Sequence, residues 1–305
     1  MAGAALVYLF SAAAQSVPGR VAGDPARGKM LFEGEGRCLT CHSTENRARK
    51  SGPDLSWIGL LRTPESLRKP LLDPTRHAAM PSYASRFSTT EIDALVAYLR
   101  TLRSIPPSEP GERTRPIAPV SINREFFDRT DRDAEERSDA LVAALEIREG
   151  DSVADVGAGT GYFTWRLARY AGPKGKVVAV DIQQSMLDLA RETVNQRGLH
   201  NVDYVLGTEK DPRLPARSLD MVFIAYSYHE FSDPDMMMEA IRRSLKPAGR
   251  LVVVEYAKES PSAPASTLHK MSFAELRNEI EPAGFELDRV FDFLPMQHGL
   301  IFTLR

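Results

Sequence analysis

The chain has 305 residues, a formal net charge of −2 and two cysteines, Cys38 and Cys41. That length allows two domains, each with its own core. The near-neutral balance lacks the clustered basic excess of a nucleic-acid footprint, and no internal run approaches the ~18 apolar residues that a bilayer span needs.

Residues 2 to 14 form an apolar run of signal-peptide length, and Ala12-Ala13-Ala14 before Gln15 offers a small-residue cleavage site. The usual basic leader is missing, since the first cation is Arg20. Residues 1–21 therefore read as a signal peptide, with an uncleaved anchor or a tail as the alternatives.

Residues 22–104 form the first domain. Asp24 is placed to cap a short helix that begins at Pro25. Cys38-Leu39-Thr40-Cys41-His42 follows, the spacing of a c-type haem attachment site. In such a site each thiol adds to a haem vinyl group and the histidine ligates the iron. A zinc half-site or a thiol redox pair shares the spacing, but zinc calls for further Cys or His at ligand distance. After a turn-rich stretch, Ser51 to Gly59, Met80-Pro81 precedes a helix starting near Ser88 or Thr89. Ile92, Leu95, Val96 and Leu99 supply its apolar face.

This block resembles a mono-haem class I cytochrome c over its whole length. The resemblance rests on Cys38, Cys41, His42, Gly52-Pro53-Asp54-Leu55, Met80-Pro81 and the helix from Glu91 to Leu99. It implies one covalent haem c, His42 and Met80 as the axial iron ligands, and a redox partner protein. It also implies a periplasmic or otherwise exported location. His77 is the competing distal ligand, and Pro53 and Trp57 are expected beside the haem. A thioether ligand raises the potential and suits electron transfer.

Residues 105–121 carry Pro106, Pro107, Pro110, Pro116 and Pro119 among charges and read as an extended linker.

Residues 122–305 alternate strand-like and helix-like segments, which predicts a parallel α/β sheet covered on both faces. Strands are expected at 152–157, 176–182, 203–206, 219–225, 250–256, 287–293 and 300–304. Helices are expected at 138–145, 162–170, 185–197, 234–245 and 271–283. Asp155-Val156-Gly157-Ala158-Gly159-Thr160-Gly161 ends the first strand, and Asp181 ends the second. Glycines allow a sharp turn against a ligand, and an acidic residue about 20 positions on can accept from ribose hydroxyls. The spacing fits a dinucleotide or another nucleoside cofactor.

With Val178-Ala179-Val180-Asp181-Ile182 and Leu245-Lys246-Pro247-Ala248-Gly249-Arg250-Leu251, this domain resembles a class I S-adenosylmethionine (SAM)-dependent methyltransferase over nearly its whole length. The resemblance implies that Asp155, Gly157, Gly159 and Gly161 hold the methionine portion of SAM. Asp181 then holds the ribose, bordered by Ile182, Gln183 and Met186. Thr208 and Glu209 lie at the adenine, and Ala225 and Tyr226 face the methyl donor. The fold class expected is thus an all-α cytochrome c fold followed by a Rossmann-like fold, its mostly parallel seven-stranded sheet ending in an antiparallel hairpin.

Methyl transfer needs a general base only when the acceptor carries a proton. Tyr226, Tyr228, His229 and Glu230 after the fourth strand are candidates, with Glu255 and Tyr256 after the fifth. His269-Lys270-Met271 and Gln297-His298 lie on loops that can reach the same mouth. The three histidines with Glu230 or Glu255 could also gather round a metal, although no His-x-x-x-His pair supports it. Met236-Met237-Met238 reads as packing. The fourth strand lacks an Asn-Pro-Pro-Tyr-type sequence, and no cysteine is left over for thiolate chemistry. The methyl acceptor is accordingly a small molecule or a protein. The alternative is a cytochrome for electron transfer or redox sensing whose second domain only binds ligand, or which runs other chemistry on the same fold.

Overall fold

A computed structural model of the chain describes residues 23–44, 51–52, 54–74, 80–104, 124, 128–260 and 262–305. The leader and the proline-rich linker lie outside the described residues, as do Pro53 and His77.

In the first segment α1 (Pro25–Glu33) is capped by Asp24, whose side chain accepts from the Ala26 N–H at 2.9 Å. It crosses α4 (Thr89–Thr101) at Gly28, where a Cβ would lie 1.9 Å from the Ala94 carbonyl oxygen. Ser88 and Glu91 close the start of α4 with a reciprocal capping box. The expected face of α4 is buried: Ile92, Leu95, Val96 and Leu99 join Leu31, Phe32, Tyr83 and Phe87 in one cluster. Two helices were not legible from periodicity, α2 (Ile58–Leu61) and α3 (Pro64–Leu72). One is a single turn. The other carries Pro70 in its interior, which blurs a helical pattern.

Two further helices, α5 (Arg132–Glu136) and α6 (Ser138–Ala144), lead into the sheet segment. It then alternates β1 (Ser152–Val156), α7 (Thr164–Ala171), β2 (Lys176–Asp181), α8 (Gln184–Asn195), β3 (Val202–Leu206) and β4 (Leu219–Ala225). The remainder is α9 (Pro234–Ser244), β5 (Leu245–Tyr256), α10 (Phe273–Ile280), β6 (Phe285–Val290) and β7 (Gln297–Leu304). The strands form one seven-stranded sheet in the order β3-β2-β1-β4-β5-β7-β6. The first five are parallel, and β7 runs antiparallel between β5 and β6. The strand β5 starts earlier than expected, because Leu245 pairs with Leu219 before the register shifts to Met221–Arg250.

Both faces are covered, which is why β1, β2 and β4 read as nearly unbroken apolar runs. One face packs Met237, Met238 and Ile241 of α9 and Phe273, Leu276 and Ile280 of α10. The other packs Leu141 and Val142 of α6 and Leu167, Ala168 and Ala171 of α7. Met237 and Met238 are core while Met236 is half exposed, as their helical spacing predicts. Trp57 packs on the α9–α10 side of the sheet with Leu60 and Leu61. Arg62 donates to the Asp292 carbonyl there, and the Thr63 N–H donates to the Asp292 carboxylate at 3.1 Å.

The strand order reverses at β1, which is followed in sequence by β2 on one side and flanked by β4 on the other. A crevice opens beyond the carboxyl ends of these strands, where ligands bind in doubly wound sheets.

Candidate functional site

In the helical segment the two thiols stand one 3-10 turn apart, over Cys38–Thr40, and are not bridged to each other. The His42 N–H donates to the Cys38 carbonyl at 2.9 Å, which fixes the histidine beside the turn. The Gly52 N–H donates to the Cys41 carbonyl at 2.7 Å. A Cβ at Gly52 would stand 2.7 Å from His42 Cε1, so only glycine lets this loop close over the imidazole. Cys38 is buried in the apolar cluster, and Met80 packs on the same cluster. Two thiols, an adjacent imidazole in a tight cradle and a thioether on a shared apolar wall fit a covalent haem.

In the sheet segment the turn after β1 runs through Gly157 at φ +78° and Gly161 at φ +82°. A Cβ on Gly157 would lie 2.2 Å from Ser227 Oγ, and one on Gly161 2.8 Å from Ala190 Cα in α8. The first glycine permits the approach of the β4 loop. The other permits close packing of α8 and does not itself face the crevice. The Gly159 N–H donates to Asp181 Oδ2 at 3.0 Å, and the Gln183 N–H to Oδ1 at 2.9 Å. Asp181 is therefore held rigidly at the end of β2, with lone pairs left to accept from a diol. The crevice has a cavity volume of about 150 Å³ and is open to solvent at its mouth. Asp155, Gly157, Gly159, Asp181, Ile182, Gln183 and Met186 line it, with Thr208, Glu209, Ala225, Tyr226 and Glu230. Glycine backbone beside a fixed carboxylate, with an apolar Met186–Ala225 wall, fits SAM.

Behind Glu230 lies a connected set of side chains. Glu255, on β5, is fully buried and receives the His229 N–H at 3.1 Å. Its other oxygen is 2.8 Å from His229 Nδ1, and His229 Nε2 is 3.0 Å from His269 Nδ1. A carboxylate at Glu255 accepts from His229 Nδ1–H, which leaves Nε2 to accept from His269 Nδ1–H. Burial, and then the neighbouring His229, push the His269 pKa down, so its imidazole is neutral near pH 7. Burial pushes the Glu230 carboxyl up to about 7, with repulsion from Glu255 and Asp181 adding to it and His229 opposing it. Tyr226 turns the chain out of β4 at φ +55°, and burial holds its phenol protonated. It can donate a hydrogen bond but cannot serve as a base at neutral pH.

The remaining candidates do not enter this set. His298 bonds Glu259 at 2.8 Å, Tyr228 and Met271 are core, and Tyr256 donates to Glu136.

The sequence model of the ubiE/COQ5 methyltransferase family matches residues 137–278, and that of the cbb3-type cytochrome c oxidase subunit III matches 23–99. The ubiquinone/menaquinone biosynthesis C-methyltransferase UbiE of Teredinibacter turnerae is 38% identical over 117 residues, 38% of this chain and 47% of that protein. The UbiE of Hahella chejuensis is 34% identical over 131 residues, 43% of this chain and 53% of that protein. The crystal structure of a SAM-dependent methyltransferase from Aquifex aeolicus superposes with a TM-score of 0.59 at 28% identity, covering 62% of this chain and all of that one. The chain joins a cytochrome c domain to a class I SAM-dependent methyltransferase domain. It spans about half the length of the curated relatives it matches. The two domains carry haem c and SAM as their cofactors.

The methyltransferase cleft also uses residues that the sequence did not single out. Arg132, on α5, is buried, bonds Glu136 at 2.9 Å and stacks 3.7 Å from the Tyr162 ring centroid. It lies 5.3 Å from both the Phe163 and the Tyr226 rings, so an aromatic wall with a fixed cation flanks the donor side. The Arg132–Glu136 spacing of four is the one signal available, and it is common on surface helices.

Asp155 gives the methyltransferase domain a pH-dependent stability. Burial, reinforced by Asp181, pushes its carboxyl up to about 7, while Thr164 Oγ1 donating at 2.6 Å and the Arg132 charge oppose the rise. A carboxyl whose pKa is raised by folding stabilises fully at low pH, and that contribution is lost as pH rises through about 7. The corresponding free energy is roughly 4 kcal/mol. Asp155→Asn is expected to flatten the fall in unfolding free energy between about pH 4 and pH 7. Urea unfolding followed by circular dichroism across that range checks it, and an unchanged pH slope contradicts the assignment.

Proposed function

We propose that this protein is an exported, periplasmic bifunctional haem-c protein. Its methyltransferase domain moves the methyl group of SAM to a ring carbon of a small hydroxylated aromatic acceptor, and its cytochrome domain exchanges electrons with a redox partner protein. The domain limits are 22–104 and 122–305, with residues 1–21 as the leader and 105–121 as the linker. The observation that carries this reading is one cleft in which Gly157, Gly159 and Asp181 meet Glu230, whose Oε1 lies 3.9 Å from His229 of the Glu255–His229–His269 set.

SAM supplies a methyl group already activated on a sulfonium centre, so the protein's work is positioning, exclusion of water and removal of a proton. Asp181 accepts from the two ribose hydroxyls. Asp155 and the glycine backbone hold the methionine end, and Thr208 and Glu209 border the base. The Tyr226, Tyr162 and Phe163 rings with Arg132 seat a flat acceptor by stacking and by its charge. Glu230, which lines the cleft and whose carboxyl is raised by burial to about 7, takes the acceptor's proton in its ionised form, with His229, Glu255 and His269 behind it. In the cytochrome domain Cys38 and Cys41 form the thioethers, and His42 and Met80 ligate the iron.

Likeness to enzymes named ubiquinone/menaquinone biosynthesis C-methyltransferases supports a carbon acceptor of the quinol class. Calorimetric titration of the haem-loaded protein with SAM tests the site, followed by transfer of a labelled methyl group to hydroxylated benzoquinols and naphthoquinols. No heat at millimolar SAM rejects a cofactor site. Tight binding without transfer to any acceptor favours a cytochrome whose second domain only senses ligand.

A further inference from the structure

We propose that His229, Glu230 and His269 form a binding site for one first-row divalent cation, with zinc as the best fit, in the wall of the methyl-donor cleft. One donor atom from each of the three side chains falls within 4.8 Å of the others. His229 Nε2 and His269 Nδ1 are 3.0 Å apart, and Glu230 Oε1 is 3.9 Å from His229 Nε2. Two nitrogens bound to one tetrahedral zinc stand about 3.3 Å apart. The imidazoles therefore need to part by only a few tenths of an ångström. Glu230 has to close by about half an ångström toward His229 and stands within 4.8 Å of the His269 donor, a movement that rotation about its outer side-chain bonds supplies.

Three features separate this cluster from a chance gathering of polar groups. The ligand types are two imidazoles and one carboxylate, the set used by open zinc sites that keep a position for water or substrate. His229 is oriented from behind. Glu255, fully buried in β5, engages both its backbone N–H and its Nδ1, so Nε2 faces the other two donors. A carboxylate on the far nitrogen of a metal-binding histidine fixes the tautomer and raises its basicity. Finally, the donors come from two short 3-10 turns, Tyr228–Glu230 after β4 and Thr267–His269 after β5, which the sheet brings together at the crevice.

Metal occupancy replaces the His229–His269 hydrogen bond, so the hydrogen-bonded set and the metal site are two states of the same groups. Because Glu230 lines the cleft, a metal held there would offer its open position to an oxygen of a water or an acceptor. The site rests on these four side chains alone and holds whether or not the domain turns over.

The test uses the full-length, haem-loaded protein, stripped with a chelator, titrated with zinc chloride and washed. Elemental analysis then gives zinc per haem iron. One zinc per iron is expected, with zinc-edge X-ray absorption reporting two imidazole ligands. His269→Ala and Glu230→Gln are each expected to reduce bound zinc at least 10-fold, while His200→Ala, at an exposed position, leaves it at one. Glu255→Gln, which touches no metal, is expected to weaken zinc binding about 10–100-fold while retaining one site. No bound zinc in the parent protein overturns the proposal. So does a zinc content unchanged in both His269→Ala and Glu230→Gln, with the haem spectrum and circular dichroism confirming that these variants are folded.

Discussion

Asp181→Ala is expected to raise the Kd for SAM by at least about 100-fold. The carboxylate offers a charged acceptor to each ribose hydroxyl, and a hydrogen bond to a charged group contributes about 1.5–3 kcal/mol. Two such bonds correspond to roughly 10²–10⁴ in affinity. The substitution also releases the Gly159 and Gln183 N–H groups, which Asp181 now holds at 3.0 and 2.9 Å. The glycine turn loses its anchor to β2, so the methionine subsite loosens as well. Asp181→Asn should fall between parent and alanine, because an amide presents one acceptor atom and turns a donor toward a backbone N–H. Isothermal titration gives Kd directly, and an unchanged haem spectrum shows that the cytochrome domain is intact. A Kd within threefold of the parent would place the ribose elsewhere.

The second large effect is expected from Met80→Ala. With the thioether as the sixth ligand, the oxidised protein should show the weak near-infrared methionine–iron charge-transfer band, and the variant should lose it. A neutral thioether favours the reduced iron, and its exchange for water or a nitrogen base lowers the potential. Axial ligands tune haem potentials over about 0.8 V, so a drop on the order of 100 mV or more is expected. Redox titration of both proteins measures it. Retention of the band and of the potential would assign the distal position to another side chain, for which His77 is the nearest sequence neighbour. SAM affinity in this variant should not change, because Met80 packs in the cluster of the helical domain.

Some of this protein was legible in the sequence for reasons that can be stated residue by residue. The haem motif is local: two thiols and an imidazole within five positions need only one turn to meet. The glycine turn and Asp181 are nearly as local. The parallel pairing of Val156 with Val180 brings the ends of adjacent strands together. Apolar runs in β1, β2 and β4 followed from a sheet covered on both sides. The buried face of α4 followed from its 3.6-residue period. Where the reading fell short, the local signal was weak. The helix α3 carries a proline, α2 is one turn long, and α5 has no apolar stripe. Trp57 was expected beside the haem, and its place in the sheet's core depends on how α2 meets the sheet.

The sequence by itself pointed to both cofactors and to the class of both folds: the haem through residue types at short, fixed spacing, and SAM through the resemblance carried by the motifs around Asp155, Asp181 and Leu245. It also named every member of the His–Glu set. Only the tertiary structure decided which of them meet. Glu255 lies 26 positions from His229, and His269 lies 40. They touch because β4 and β5 are adjacent parallel strands whose following loops emerge on the same edge. His298 stands opposite Glu255 in the β5–β7 register, yet its imidazole bonds Glu259 rather than joining the set. No spacing rule separates His269 from His298. The hydrogen-bond partners that burial demands do.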